Sequence, residues 1–124
     1  MAGEHRAGED GYVLIAAPDY NVAILVGDTP PDPLDDNVDV EVRFNDGRLY
    51  TATFFTLKNL ESLFKKNRLT GECNRGTYLY SVNMIVVERI DPDLIAEAVK
   101  DLIRNNEFEH AFAAHGVQTE PQNS

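Results

Sequence analysis

Cys73 is the residue in this sequence that could most readily act as a nucleophile. Glu72 and Arg75 lie beside it, and Tyr80 follows shortly after. A nearby arginine favours the thiolate, which is the reactive form of cysteine, and so lowers the pKa of the thiol. A small enzyme could build a site from these four residues, but no histidine or second cysteine lies near them in sequence to activate the nucleophile. The pattern therefore favours an exposed turn around Cys73 over a catalytic site.

Two further groups of residues have metal-binding side chains without metal-binding spacing. His110 and His115 are spaced so that one face of a helix cannot present both imidazoles to one ion. The other group consists of aspartates in one loop: Asp28, Asp32, Asp35 and Asp36. Carboxylates suit hard cations, but these lack the spacing and the turn glycine of an EF-hand loop. The sequence therefore predicts no metal site and no cofactor.

Charge is distributed unevenly along the chain, whose formal net charge is -10. Positions 1–46 contain eleven acidic and two basic residues. Positions 47–90 contain three acidic and seven basic residues, and positions 91–124 contain seven acidic and two basic residues. An acidic surface repels nucleic acid and attracts basic partners, although acidity also serves solubility alone. The acidic residues that we expect to contact a basic protein partner are Asp28, Asp32, Asp35, Asp36, Asp39 and Glu41.

The basic middle of the chain supports a second hypothesis, a regulatory module that binds phosphate or nucleic acid. Its candidate residues are Lys65, Lys66, Arg68, Arg75, Tyr78 and Tyr80. The cations would contact phosphates and the tyrosines would stack on bases. The surrounding negative charge opposes this hypothesis. Cations in the last turn of a helix also complement the helix dipole, which explains the cluster without any ligand.

A β-hairpin over 38–44 and 49–55 is the best-specified element of the sequence. Apolar and polar residues alternate along its first strand, which is the pattern of a half-buried strand. A loop of Asn45, Asp46 and Gly47, with Gly47 at positive φ, sets the register. The resulting pairs are Val42 with Tyr50, Val40 with Ala52 and Val38 with Phe54. We also predict strands over 12–17, 20–26, 77–80 and 84–88.

Two main helices are predicted from their capping residues and apolar periodicity. Thr56 is a suitable N-cap for a helix over 57–68, and Asp91 followed by Pro92 begins a helix over 92–104. Phe108 and Phe112 have helical spacing, so we expect a further short helix that folds back on the core.

These elements predict an α+β domain over 12–115, with a largely antiparallel sheet of four to six strands and both main helices packed on it. We expect flexible tails over 1–11 and 116–124. No apolar run approaches the roughly 20 residues of a membrane-spanning helix, so no membrane association is expected. The single cysteine cannot form an internal disulfide and no signal segment is apparent, which favours the cytoplasm.

The small acidic α+β layout resembles that of many bacterial immunity and inhibitor proteins. This likeness of class rests on no specific motif and carries no residue across. Together with the charge distribution, it predicts a non-catalytic cytoplasmic protein-binding module of the immunity, antitoxin or inhibitor type, which covers a basic surface of its partner. The oligomeric state does not follow from the sequence.

Overall fold

A computed structural model describes residues 5–7, 12–27, 31–79 and 83–115. Its strands are β1 His5–Ala7, β2 Tyr12–Ala16, β3 Tyr20–Leu25, β4 Asn37–Phe44, β5 Leu49–Thr56, β6 Met84–Val87 and β7 Ala113–Ala114. Its helices are α1 Leu57–Thr70, α2 Glu72–Gly76, α3 Pro92–Arg104 and α4 Phe108–Ala111.

Strands β1 to β6 lie side by side in chain order and form one largely antiparallel sheet. Among the described strands, only β5 and β6 pair in parallel, and the chain between them passes through α1 and α2 because parallel strands need a crossover connection. The two-residue strand β7 pairs with β5 along the edge that β6 also uses. The predicted α+β class, with one sheet and two main helices, is confirmed.

The central hairpin of β4 and β5 has the predicted register. Val42 pairs with Tyr50, Val40 with Ala52 and Val38 with Phe54. Gly47 has a φ of 98°, a left-handed conformation that glycine adopts without strain. Alternation and turn chemistry therefore specified this pairing correctly.

The core lies on one face of the sheet, under α3 and α4. Ile95 and Val99 of α3 are fully buried, and Phe108 and Phe112 stack with their ring centroids 4.5 Å apart. The sheet contributes its alternate, inward-facing residues, among them Val22, Ile24, Val38, Val40, Val42, Tyr50, Ala52 and Phe54. The short helix predicted from Phe108 and Phe112 therefore does fold back on the core.

Both main helices begin at the predicted caps. The Asp91 carboxylate accepts a hydrogen bond from the Asp93 N–H at 2.9 Å, with Pro92 at the first helical position. The Thr56 hydroxyl accepts one from the Asn59 N–H at 3.1 Å. These bonds satisfy amide groups that have no acceptor inside the helix.

Helix α1 differs from α3 in what it buries. Its only buried residues are Asn59 and Asn67, and none of its residues belongs to the apolar core cluster. Leu57 and Leu69 are 66% and 87% exposed. One long face of α1 is therefore open to solvent.

The N-terminal segment contains a strand where the sequence predicts a flexible tail over 1–11. His5–Ala7 forms β1 and pairs with 13–15 of β2. Pairing uses backbone groups, so a polar segment can extend a sheet without the apolar alternation by which strands are recognised. The rest of this segment, and the tail predicted from 116 onward, lie outside the described residues.

The segment around Cys73 also differs from the prediction. Glu72–Gly76 forms the short helix α2 instead of a turn. The strand predicted over 77–80 is wrong for 77–79, which pair with no strand, and Tyr80 lies outside the described residues. The aromatic and β-branched residues there suggested a strand, but they lie in the crossover connection that leads from α2 to β6.

Candidate functional site

The sheet has a second, outer face, opposite to the face that packs under α3 and α4. Strand alternation places Asp39 and Glu41 on this outer face, opposite to the buried valines of β4. Asp39 lies between Leu25 of β3 and Thr53 of β5 in the register. The central strands thus present carboxylates, hydroxyls and an apolar side chain side by side.

A depression of about 380 Å³ lies on this outer face, where β6 and β7 meet the edge of β5. Its lining consists of Leu25, Asp39, Glu41, Thr51, Ala52, Thr53, Asn83 and Ala113. Two of these residues are acidic, and no lysine or arginine is among the described residues that line it. We call this feature the acidic depression. It brings together two of the six acidic residues predicted to contact a partner.

The two carboxylates of the acidic depression differ in their surroundings. Thr53 Oγ1 donates a hydrogen bond to Asp39 Oδ1 at 2.8 Å, which orients that carboxylate on the sheet. The carboxylate of the half-buried Glu41 makes no hydrogen bond or ion pair with any described residue. Asn83 donates to the Ala111 carbonyl at 2.9 Å, so the rim is held in place. Such a site can accept hydrogen bonds from a lysine or arginine whose alkyl stem packs on Leu25 and Ala113.

The acidic loop that precedes β4 has a structural role that the sequence analysis did not predict. Asp35 accepts hydrogen bonds from Asn59 Nδ2 at 3.3 Å and Ser62 Oγ at 3.0 Å, both on α1. Asp36 accepts from the amide groups of Asn37 and Asp32. The Asp35 carboxylate thus fastens the loop to the start of α1, whereas the Asp36 carboxylate holds the loop itself together. Contact of either residue with a partner remains a prediction. Asp28 lies outside the described residues.

The structure gathers the cations of the alternative hypothesis on the surface of α1 and α2. Lys65, Lys66 and Arg68 are exposed on α1, and Arg75 is exposed on α2. The two helices are in close contact at Gly76 of α2. A Cβ atom added to this glycine would lie only 2.7 Å from Cγ of Arg68 on α1. None of these four side chains forms an ion pair with a described residue. We call them the basic patch.

The remaining residues of the two alternatives are only partly described. Tyr78 is 55% exposed and available for stacking, whereas Tyr80 lies outside the described residues. The structure describes the backbone of Cys73 but not its side chain. A catalytic site around Cys73 therefore stays a prediction.

A second depression, of about 430 Å³, lies at the end of the core and was missed by the sequence analysis. Phe44, Ile103 and Phe108 line its apolar part. The Arg48 guanidinium lies 4.5 Å from the centre of the Phe44 ring, and its Nε is 2.9 Å from Asp46 Oδ2. The spacing of Phe108 and Phe112 predicted a short helix here. The depression itself was not predictable, because its aromatic residues come from separate elements and form no local pattern in the sequence.

The charged groups of this second depression compensate each other. The hydrogen bond from the Arg48 amide lowers the pKa of the Asp46 carboxyl, and the hydrogen bond to Asp46 raises the pKa of Arg48. Arg48 also approaches Glu109, to which the Tyr50 hydroxyl donates at 3.4 Å. With its cation already paired, this depression suits an apolar group more than an ionic one.

Within the described part of the chain, no three His, Cys, Asp or Glu side chains are grouped so that they could hold a metal ion. No helix among those residues is both long and apolar enough to cross a membrane. Comparisons with protein-family models, curated proteins and solved structures find no match to this chain.

Proposed function

We propose that this chain is a non-catalytic protein-binding module whose outer sheet face covers a basic surface of a partner protein. The observation that supports this proposal is the acidic depression, in which Asp39 and Glu41 lie together with no cation among the described lining residues. The Glu41 carboxylate has no hydrogen-bond or ion-pair partner within the described chain, so it would be able to pair with a cation of another molecule.

The mode of binding follows from the position of the carboxylates on central strands. Asp39 and Glu41 belong to β4, which is paired on both sides, so little backbone ordering is needed when a partner binds. Thr53 already orients Asp39. A lysine or arginine of the partner would place its charge between the carboxylates and its stem on Leu25. The net charge of -10 would speed the encounter with a basic protein at low salt.

An immunity, antitoxin or inhibitor protein of the bacterial cytoplasm is the class of protein that fits this proposal. Such proteins block a basic partner by covering its surface, and this chain has the corresponding small acidic α+β layout. The single cysteine suits a reducing compartment. The acidic loop would add to the field that attracts the partner, while its Asp35 carboxylate binds α1.

The test of this proposal removes charge from the acidic depression without changing its shape. The variant combines Asp39→Asn with Glu41→Gln, and its partner is first captured from the source cells with the wild-type chain and then purified. We expect Kd for that partner to rise about tenfold to a hundredfold, because close charge pairs across interfaces contribute a few kcal/mol. The salt dependence of the association rate should also become weaker. Calorimetry and stopped-flow fluorescence measure the two effects.

The matched control combines Glu97→Gln with Glu107→Gln, which removes the same charge from exposed positions outside the depression. Its affinity should stay close to that of the wild type. An equal loss in both variants would show that only net charge matters and would refute the proposed site. If only replacement of Lys65, Lys66 and Arg68 by glutamine abolished binding, the phosphate or nucleic-acid hypothesis would replace this one.

A further inference from the structure

The exposed face of α1 combines an apolar side chain with positive charge. Leu69 is 87% exposed, more than any other large apolar residue in the described chain. Lys65 lies one helical turn before it and on the same side of the helix. Lys66 and Arg68 flank the pair, and none of these cations has an ion-pair partner within the described chain. We call Leu69 with these three cations the α1 knob.

The acidic depression has the complementary shape and charge. Its volume of about 380 Å³ exceeds that of a leucine side chain, and Leu25 and Ala113 give it apolar walls. Asp39 and Glu41 supply two negative charges beside those walls. A leucine that entered the depression would bring a lysine one helical turn away towards these carboxylates. An apolar projection and a pocket on different parts of one molecule are the two halves of a head-to-tail contact.

The two surfaces do not meet within one molecule, because no residue of α1 lines the depression. We propose that the α1 knob of one copy docks into the acidic depression of a second copy. The contact is heterologous, since each copy uses one surface as donor and the other as acceptor. A row of copies joined by such contacts therefore has one free knob at one end and one free depression at the other.

The charges of the chain determine how strong this contact is and which other molecule would compete for the depression. Two molecules that each carry a net charge of -10 repel one another, so the association should be weak at low concentration. Salt near the physiological range screens exposed charges beyond about 8 Å and weakens this repulsion more than it weakens contacting pairs. A basic partner in the depression would exclude the knob. The inference itself needs only the two surfaces and does not depend on the proposed function.

A nucleic acid is the competing occupant of the same cations. It would place many phosphates along α1 and α2, close to a molecule with a strong overall negative field, and would leave the exposed Leu69 unexplained. A second copy uses both the leucine and the lysine. Charge and apolar complementarity therefore favour the second copy.

The experiment is sedimentation velocity on the full chain, from micromolar to millimolar concentration, with two variants. The knob variant combines Leu69→Ser with Lys65→Gln, and the face variant combines Asp39→Asn with Glu41→Gln. We expect the wild type to associate as its concentration rises, and each variant alone to remain monomeric at concentrations at least about tenfold higher. All four positions are exposed or half-buried, so circular dichroism should show an unchanged fold.

The decisive sample is an equimolar mixture of the two variants. The face variant keeps an intact knob and the knob variant keeps an intact depression, so the mixture should form a dimer and nothing larger. A wild type that stays monomeric at every concentration would overturn the proposal, as would a mixture that stays monomeric. If the wild type is monomeric but binds a single-stranded DNA 20-mer through Lys65, the α1 surface is a nucleic-acid site. Loss of the captured partner in the face variant would still support the proposed function in that case.

Discussion

Replacing Phe112 with alanine should lower the free energy of unfolding by about 3 to 5 kcal/mol. Phe112 is 1% exposed, and its ring lies 4.5 Å from the Phe108 ring and 6.1 Å from the Phe54 ring, measured between centroids. The substitution removes most of a buried aromatic side chain and leaves a cavity between α4 and the sheet. The surrounding backbone belongs to a helix and a paired strand, so it can relax only partly.

Urea denaturation followed by circular dichroism measures this loss. Leu69→Ala is the matched control, since it also truncates a large apolar residue, but one that is 87% exposed. We expect its effect to stay within about 0.5 kcal/mol. Comparable losses for Phe112→Ala and Leu69→Ala would contradict the placement of α4 against the core.

The parts of the fold that were predicted correctly are those specified by neighbouring residues. The alternation in β4 and the positive φ at Gly47 determine which residues of the hairpin face each other. Thr56 and Asp91 mark helix starts because capping is a contact between a side chain and amide groups two or three residues later. These interactions can be recognised in the sequence without knowing the fold.

The parts that were missed depend on which segments meet over long distances. Nothing local shows that His5–Ala7 pairs with β2, or that 77–79 pairs with no strand. The apolar periodicity of α1 resembles that of α3, yet only α3 contributes to the core cluster. How much of a helix is buried depends on the elements that cover it, and those lie far away in sequence.

The candidate site shows the same division. Charge and alternation identified Asp39 and Glu41 as outward-facing carboxylates of a strand, because residues two apart lie on the same face of a sheet. The depression beside these carboxylates is also lined by Asn83 and Ala113, which lie far from them in the sequence. The sequence analysis placed Asp35 and Asp36 among the contacts to a partner and did not predict that both accept hydrogen bonds within the fold. The sequence shows that a residue is charged but not which groups its side chain contacts.

The second large effect is expected at Thr56, where the acidic loop, β5 and α1 meet. Its side chain is fully buried, and its hydroxyl donates to the Leu34 carbonyl at 2.8 Å. The same oxygen accepts from the Asn59 N–H at 3.1 Å and the Asp36 N–H at 3.3 Å. One hydroxyl therefore caps α1 and holds the loop that carries the acidic residues.

Thr56→Val should destabilise the fold by about 2 to 4 kcal/mol, because valine keeps the volume of threonine but leaves the groups around it without their bonds. Loss of an N-cap costs about 1 kcal/mol, and each unsatisfied buried group costs about 1 to 3 kcal/mol, partly relieved by water at the loop. Thr56→Ser keeps the hydroxyl and loses one methyl group, so we expect a loss of about 1 kcal/mol. Urea denaturation gives both values, and amide hydrogen exchange over 57–60 should speed up only in the valine variant. A serine variant less stable than the valine variant would show that the methyl group, and not the hydroxyl, holds the loop to the helix.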